Sequence, residues 1–242
     1  MHIPDGYLGP ITYGSLWAAI LPIWIYASKK IKEILKASQV PLLALGAAFS
    51  FVIMMFNVPI PGGTTGHATG ATLIAILIGP WAAIIAVSIA LVIQALIFGD
   101  GGITAIGANC FNMAFAGVLV GYGIYRLIAG SKLRVESEEL KVQRPDMKSG
   151  HSLPDTRHLI GAGAGAYIGI NLAAFLTAFE LGIQTILHIG ADGRPLYSPF
   201  PLTVTIPAIM IEHIALFGVV EAVVTVLVLI YLRKSHPELI RG

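Results

Sequence analysis

Two stretches of this chain place nitrogen donors where a metal cation could use them. The chain opens MHIPDGYLGP, so His2 stands beside the α-amino group of Met1 and ahead of Pro4. A histidine in second place offers three nitrogens to one cation: the free α-amine, the backbone amide of residue 2 once deprotonated, and imidazole Nδ1. Together these close a five- and a six-membered chelate ring in one plane. The second stretch, FNVPIPGGTTGHATG at 56–70, supplies His67 as a candidate for the fourth nitrogen. Tetragonal nitrogen coordination suits Cu(II) or Ni(II), whereas zinc prefers a tetrahedron. Such ligands must lose protons, so binding is expected to weaken as pH falls. Taken singly, each residue has a plainer reading: an idle, frayed terminus for His2 and a hydrogen-bonded structural histidine for His67.

The elements that must position these residues are membrane helices. Hydrophobic residues make up 56% of the chain and charged residues 12%, and the mean hydropathy is +0.81. A soluble domain carries about a quarter charged residues, so this chain is built for lipid. A formal net charge of +2 gives no case for nucleic acid as a partner. The single cysteine, Cys110, excludes a disulfide within these residues. No Lys or Arg occurs in the first 28 residues, which leaves no basic n-region for a cleaved signal peptide and predicts that Met1 is retained.

Apolar stretches run at 11–28, 40–57, 80–98, 103–129, 159–190 and 203–232, with a shorter one from Ala68 to Gly79 just ahead of Pro80. Counting 68–79 and 80–98 separately predicts seven spans with Met1 outside. Lys29, Lys30, Lys32 and Lys36 then fall inside, together with Lys132, Arg134, Lys141, Arg144, Lys148 and Arg157 of the 130–158 loop. Arg233, Lys234 and Arg241 follow them, and of the fifteen basic residues only Arg194 is left outside. The segment 130–158 reads as a cytoplasmic linker within a single membrane domain, 1–242. The short third span is expected to begin in a protein-lined cavity, where irregular backbone is tolerated. This topology puts the Met1–His2 terminus and the 56–70 loop on the same external face. Gly161, Gly165 and Gly169 share the spacing that lets helices approach closely, and Trp17, Trp24, Trp81 and Tyr231 are candidate interfacial anchors.

Other polar residues compete for attention. Asp5, Asp100 and Asp192 fall outside and could attract cations, although solvated acids are the plainer reading. Asn109 and Asn112 sit in GDGGITAIGANCFNM, where they could brace ligands or pair helices. That stretch lacks the Lys-Ser/Thr of a phosphate-binding loop. Glu180, Glu212, His213 and Glu221 lie inside apolar spans, where ionisable groups are functional suspects and interhelical pairing is the alternative. His188 is a further ligand candidate near the external end of its span. His151, His158 and His236 are predicted to be solvated on the cytoplasmic side.

MHIPDGYL at the start, FNVPIPGGTTGHATG some fifty residues later and GDGGITAIGANCFNM together resemble the NikM/CbiM family, the substrate-binding (S) component of nickel/cobalt energy-coupling-factor (ECF) transporters. The resemblance extends over essentially the whole chain. It implies an all-α multi-pass protein of a prokaryotic plasma (inner) membrane, with a six-helix core, an extra N-terminal helix, an extracytoplasmic N-terminus and a cytoplasmic C-terminus. It implies metal ligands at Met1 (amine), His2 (amide and imidazole) and His67 (imidazole), with Ni(II) or Co(II) as the transported substrate. The implied partners are a transmembrane coupling (T) component, a cytoplasmic ATPase pair and a small auxiliary membrane subunit. This chain itself would be no enzyme and would bind no ATP. The small-residue docking motif of S components would fall on Ala44 and Ala48. An in-plane donor set that includes an amide favours nickel, since low-spin d⁸ gains most from it. The rivals are a Co(II)-specific component of the same class, a proton-coupled secondary transporter using Glu180, Glu212 or Glu221, and a membrane enzyme or scaffold that needs no metal at the terminus.

Overall fold

In the computed structural model, residues 1–35, 39–60, 63–130 and 156–236 are described. Lys36, most of the expected linker (with Lys132, Arg134, Lys141, Arg144, Lys148 and His151) and Arg241 lie outside the described residues.

Seven helices carry the described chain: α1 Pro10–Ile34, α2 Val40–Met54, α3 Ala71–Ile78, α4 Pro80–Phe98, α5 Ile106–Ala129, α6 Thr156–Leu187 and α7 Leu202–Ser235. Five are long and apolar enough to cross a membrane, and α2 is a shorter apolar helix of 15 residues. The protein is all-α and multi-pass, as expected. The third expected span is a half-helix: Gly70 (φ 69°) and Gly79 (φ 86°) bound it, and Pro80 opens the next helix. Eight residues at 1.5 Å each cover about 12 Å, under half of a hydrocarbon core. Six of those eight, from Ala71 to Ile78, are buried, so α3 is shielded from lipid by its neighbours. A two-stranded hairpin, β1 Val58–Ile60 against β2 Thr64–Gly66, leads into it and pairs Val58 with Gly66.

Helix α1 is peripheral, with only Ile20 and Ala27 buried. It is fastened by its tryptophans: Trp17 Nε1 donates to the Thr104 carbonyl and Trp24 Nε1 to Ser88 Oγ, each at 2.9 Å. These two rings therefore bracket helices together, while Tyr231 is 63% exposed on α7.

Helix α6 is the centre of the bundle, packed between α5 and α7. The glycine periodicity explains how. A Cβ on Gly169 would lie 2.7 Å from the Gly117 carbonyl oxygen, and one on Gly165 would run into that of Gly121. Small residues four apart on α5 thus meet small residues four apart on α6, and backbone touches backbone. The partner atoms are main chain and cannot rotate away. Gly165→Ala should therefore destabilise the detergent-solubilised protein by about 1–3 kcal/mol, as overpacking does, seen as a lower thermal midpoint. Gly163→Ala, whose Cβ would meet only a Val226 methyl at 3.3 Å, is the control expected to stay within error.

Candidate metal centre

Residues 1–9 run into the bundle, where apolar side chains and a set of directed hydrogen bonds hold them. Met1 and Ile3 are fully buried, and Leu8 nearly so. The Ile3 amide donates to Asn109 Oδ1 (2.9 Å), and its carbonyl accepts from Asn109 Nδ2 (3.2 Å) and the Gly102 amide (2.8 Å). Thr64 Oγ1 donates to the His2 carbonyl at 2.8 Å, and the Met1 amine to the Thr65 carbonyl. Gly6, at φ 81°, turns the chain. The Asp5 carboxylate then accepts from the Thr104 hydroxyl and from the amides of Thr104 and Ile103 at 2.9 and 3.0 Å; partial burial raises its pKa, but these bonds, the hydroxyl's first, hold it below the ordinary value. Further along, the Gly9 amide reaches Gln184 Oε1 at 3.0 Å and the Tyr7 carbonyl accepts from the Ser198 amide at 3.1 Å. Gly102 permits this threading, since a Cβ there would strike the Pro4–Asp5 peptide.

The hairpin delivers His67 to the same place. Its ring stacks on His2, centroids 4.5 Å apart and planes 24° apart. His67 Nδ1 lies 3.1 Å from the Ala68 carbonyl, which assigns the proton to Nδ1 and leaves the lone pair on Nε2. That Nε2 is buried without a partner, as are both ring nitrogens of His2. Nδ1 of His2 faces Asp100 Oδ1 at 3.3 Å without the alignment of a hydrogen bond.

Burial governs the protonation of these groups. It lowers the Met1 amine to about 4, against the attraction of Asp100. Burial first, then the neighbouring amine, lower His2 to about 3, with Gln94 opposing. His67 is held well below its ordinary value by burial, then by the amine, His2 and, more weakly, His213. Three neutral nitrogen bases thus converge in a dry site. Among the described residues no three His, Cys, Asp or Glu side chains gather as a metal cluster.

The remaining candidates divide. Glu221 accepts from the amides of Thr69 (2.7 Å) and Gly70 (3.0 Å) and from Thr69 Oγ1 (3.2 Å). It thereby ties the loop after His67 to α7 and caps the N-terminus of α3. Glu180 accepts from Asn112 Nδ2 at 2.8 Å, an interhelical pair. His213 is fully buried, donates from Nδ1 to the Ile209 carbonyl at 2.8 Å and keeps a partnerless Nε2. His188 instead packs on Gly9 and Tyr197. His158, expected to be a solvated loop residue, sits in the first turn of α6 with Nδ1 3.1 Å from Tyr125 Oη, because the helix begins before it. Asn109 is the partner whose role was open in the sequence: it braces the terminus, and its place in GANCFNM is the only local signal for it.

Comparison with known proteins gives a consistent picture. The family described as the cobalt uptake substrate-specific transmembrane region matches residues 2–239. The fused nickel transport protein NikMN of Rhodobacter capsulatus is 46% identical over 240 residues, 99% of this chain and 64% of that protein, so the chain spans under two thirds of that relative. The cobalt transport protein CbiM of Acetohalobium arabaticum is 41% identical over 131 residues, 53% of this chain and 52% of that one. Among solved structures, a truncated transition metal transporter superposes with a TM-score of 0.84 at 49% identity, covering 98% of this chain and 100% of that chain.

Asn109→Ala should leave the buried Ile3 amide without an acceptor. The expected cost is about 1–3 kcal/mol, and hydrogen exchange at Ile3 should accelerate in the metal-free protein while exchange in α6 stays unchanged.

Proposed function

The chain belongs to the cobalt-uptake substrate-specific transmembrane family, and we propose that it is the substrate-capturing membrane subunit of an ECF-type transporter, taking up Ni(II). The observation that carries this reading is the convergence of the Met1 amine, the partnerless His2 ring nitrogens and the partnerless His67 Nε2 in one buried site. The α-amine, the His2 amide, His2 Nδ1 and His67 Nε2 form the square. Among the hydrogen bonds of the described residues none uses the His2 amide, so a metal can take that nitrogen at no cost in hydrogen bonding. The two imidazoles lie close together, their centroids 4.5 Å apart.

Nickel is favoured over cobalt by the in-plane nitrogen set, and the Rhodobacter relative is named for nickel transport. Capture occurs on the extracytoplasmic face. ATP hydrolysis by a partner ATPase pair, coupled through a T component and with a small auxiliary membrane subunit, then turns the site inward; the chain carries no nucleotide motif of its own. Ala44 and Ala48 are both exposed on α2, as docking residues must be. Residues 1–242 act as one membrane domain, with 130–158 a cytoplasmic linker. The proton-coupled alternative loses ground because Glu180 and Glu221 are engaged by Asn112 and by the Thr69–Gly70 amides.

His67→Ala, and separately one residue added ahead of Met1, should each weaken Ni(II) binding to the purified protein by on the order of a hundredfold, at least the upper end of what losing an outer-shell partner costs. Undiminished affinity in both would end the reading. Metal competition should show Ni(II) preferred over Co(II). The lowered pKa values also set the pH dependence. Amine and imidazoles are already neutral at pH 7, so binding should release about one proton, from the His2 amide. Affinity should then fall about tenfold per pH unit and more steeply once pH approaches about 4, where the amine protonates. Calorimetry in buffers of different ionisation enthalpy counts the protons.

A further inference from the structure

A centre whose donors are buried to this degree needs a point of access, and one side chain bridges it to solvent. Met1 and His67 are fully buried and His2 is 3% exposed. Asp100 is partly open, its side chain 20% exposed, and its Oδ1 stands 3.3 Å from His2 Nδ1. The position is built. Gly99 and Gly101, at φ 66° and 95°, set the backbone on either side, and the Asp100 amide donates to the Gln94 carbonyl at 3.0 Å. Asn57 Nδ2 donates to Oδ2 at 3.1 Å, which aims Oδ1 at the histidine. Gly101 packs against His2, a Cβ there lying 3.5 Å from the imidazole Cδ2. Asp5, the other acid of this region, is committed to the amides of Ile103 and Thr104. Asp192 lies on a separate exposed turn and bonds the Arg194 amide.

We propose that Asp100 is the receiving group of the metal centre: its outward-facing carboxylate attracts the hydrated divalent cation and passes it to His2 Nδ1 and the amine as water is shed. This rests on the nitrogen site of the preceding subsection and assigns it a loading route. Carboxylate oxygen suits a cation that still carries water, whereas the amide-containing square suits the dehydrated ion. A single negative charge partly exposed beside a buried site raises the local cation concentration and the association rate. Asp100 is therefore a positioning residue for uptake and lies outside the final ligand set.

The test is stopped-flow binding of NiCl₂ to the purified full chain, with dissociation and the visible spectrum of the bound ion recorded alongside. Asp100→Asn keeps size and a hydrogen-bonding oxygen while removing the charge. It should lower the association rate about tenfold and flatten its dependence on ionic strength, as loss of a steering charge does, with dissociation rate and spectrum unchanged. Asp100→Glu should restore the rate. An unchanged association rate in Asp100→Asn overturns the proposal. So does an altered spectrum with faster dissociation, which would make Asp100 a ligand of the bound ion or a prop for His2. His67→Ala run in parallel separates the two levels: wild-type affinity and spectrum there would remove the nitrogen site itself, whereas a weakened His67→Ala beside an unaffected Asp100→Asn would remove only the loading role.

Discussion

The structure depends on admitting polar main chain into an apolar bundle. Residues 1–4 bring amides, carbonyls and an amine to a depth where water cannot serve them, and each unserved group would cost a kcal/mol or more. The fold supplies partners singly and from far away in sequence: Asn109 for both sides of Ile3, the Gly102 amide, Thr64 for the His2 carbonyl. Among these braced groups, the ring nitrogens of His2 and Nε2 of His67 are left without partners, on rings that lie 4.5 Å apart.

The half-helix α3 follows from the same constraint. A full membrane helix would carry its first residues to the surface and take His67 with it. Instead Gly70 and Gly79 confine the helix to eight residues, and the hairpin fills the depth above. Irregular backbone at that level needs hydrogen bonds from protein, and Glu221 provides them from α7 to Thr69 and Gly70. The carboxylate thus does for the His67 loop what Asn109 does for the terminus. On the opposite side α5 and α6 touch backbone to backbone through glycines, a wall with little freedom to give. A stiff wall and two tied loops fix the donors relative to one another.

What could be read from residues alone was whatever is covalent or periodic. Met1 and His2 are a candidate chelate by adjacency, the Gly161–Gly165–Gly169 row announces itself by its period, and Gly79-Pro80 marks the break between α3 and α4. His67 could be singled out because a histidine among four glycines and two prolines has few ordinary structural uses. The braces were illegible for a physical reason. Asn109 meets Ile3 across 106 positions and Glu221 meets Thr69 across 152. Such pairings depend on helix register, which small apolar residues specify only through packing. For the same reason Glu180, Glu212, His213 and Glu221 looked equivalent in sequence, although they have separate jobs or none. Trp17 and Trp24 resembled lipid-interface residues because composition cannot distinguish a ring facing headgroups from one closing a helix pair.

The unpartnered nitrogens have an energetic consequence that links stability to occupancy. Hydrogen-bonded donors would have to break those bonds before binding a cation, and the exchange would return little. Here the His2 ring nitrogens and His67 Nε2 are already desolvated by the fold, with no hydrogen bond to break before a cation could use them. Their suppressed basicity works in the same direction, because no proton has to be displaced from the rings at neutral pH. A cation that binds only the folded state would therefore stabilise it by mass action, the more so where its donors carry no competing hydrogen bonds.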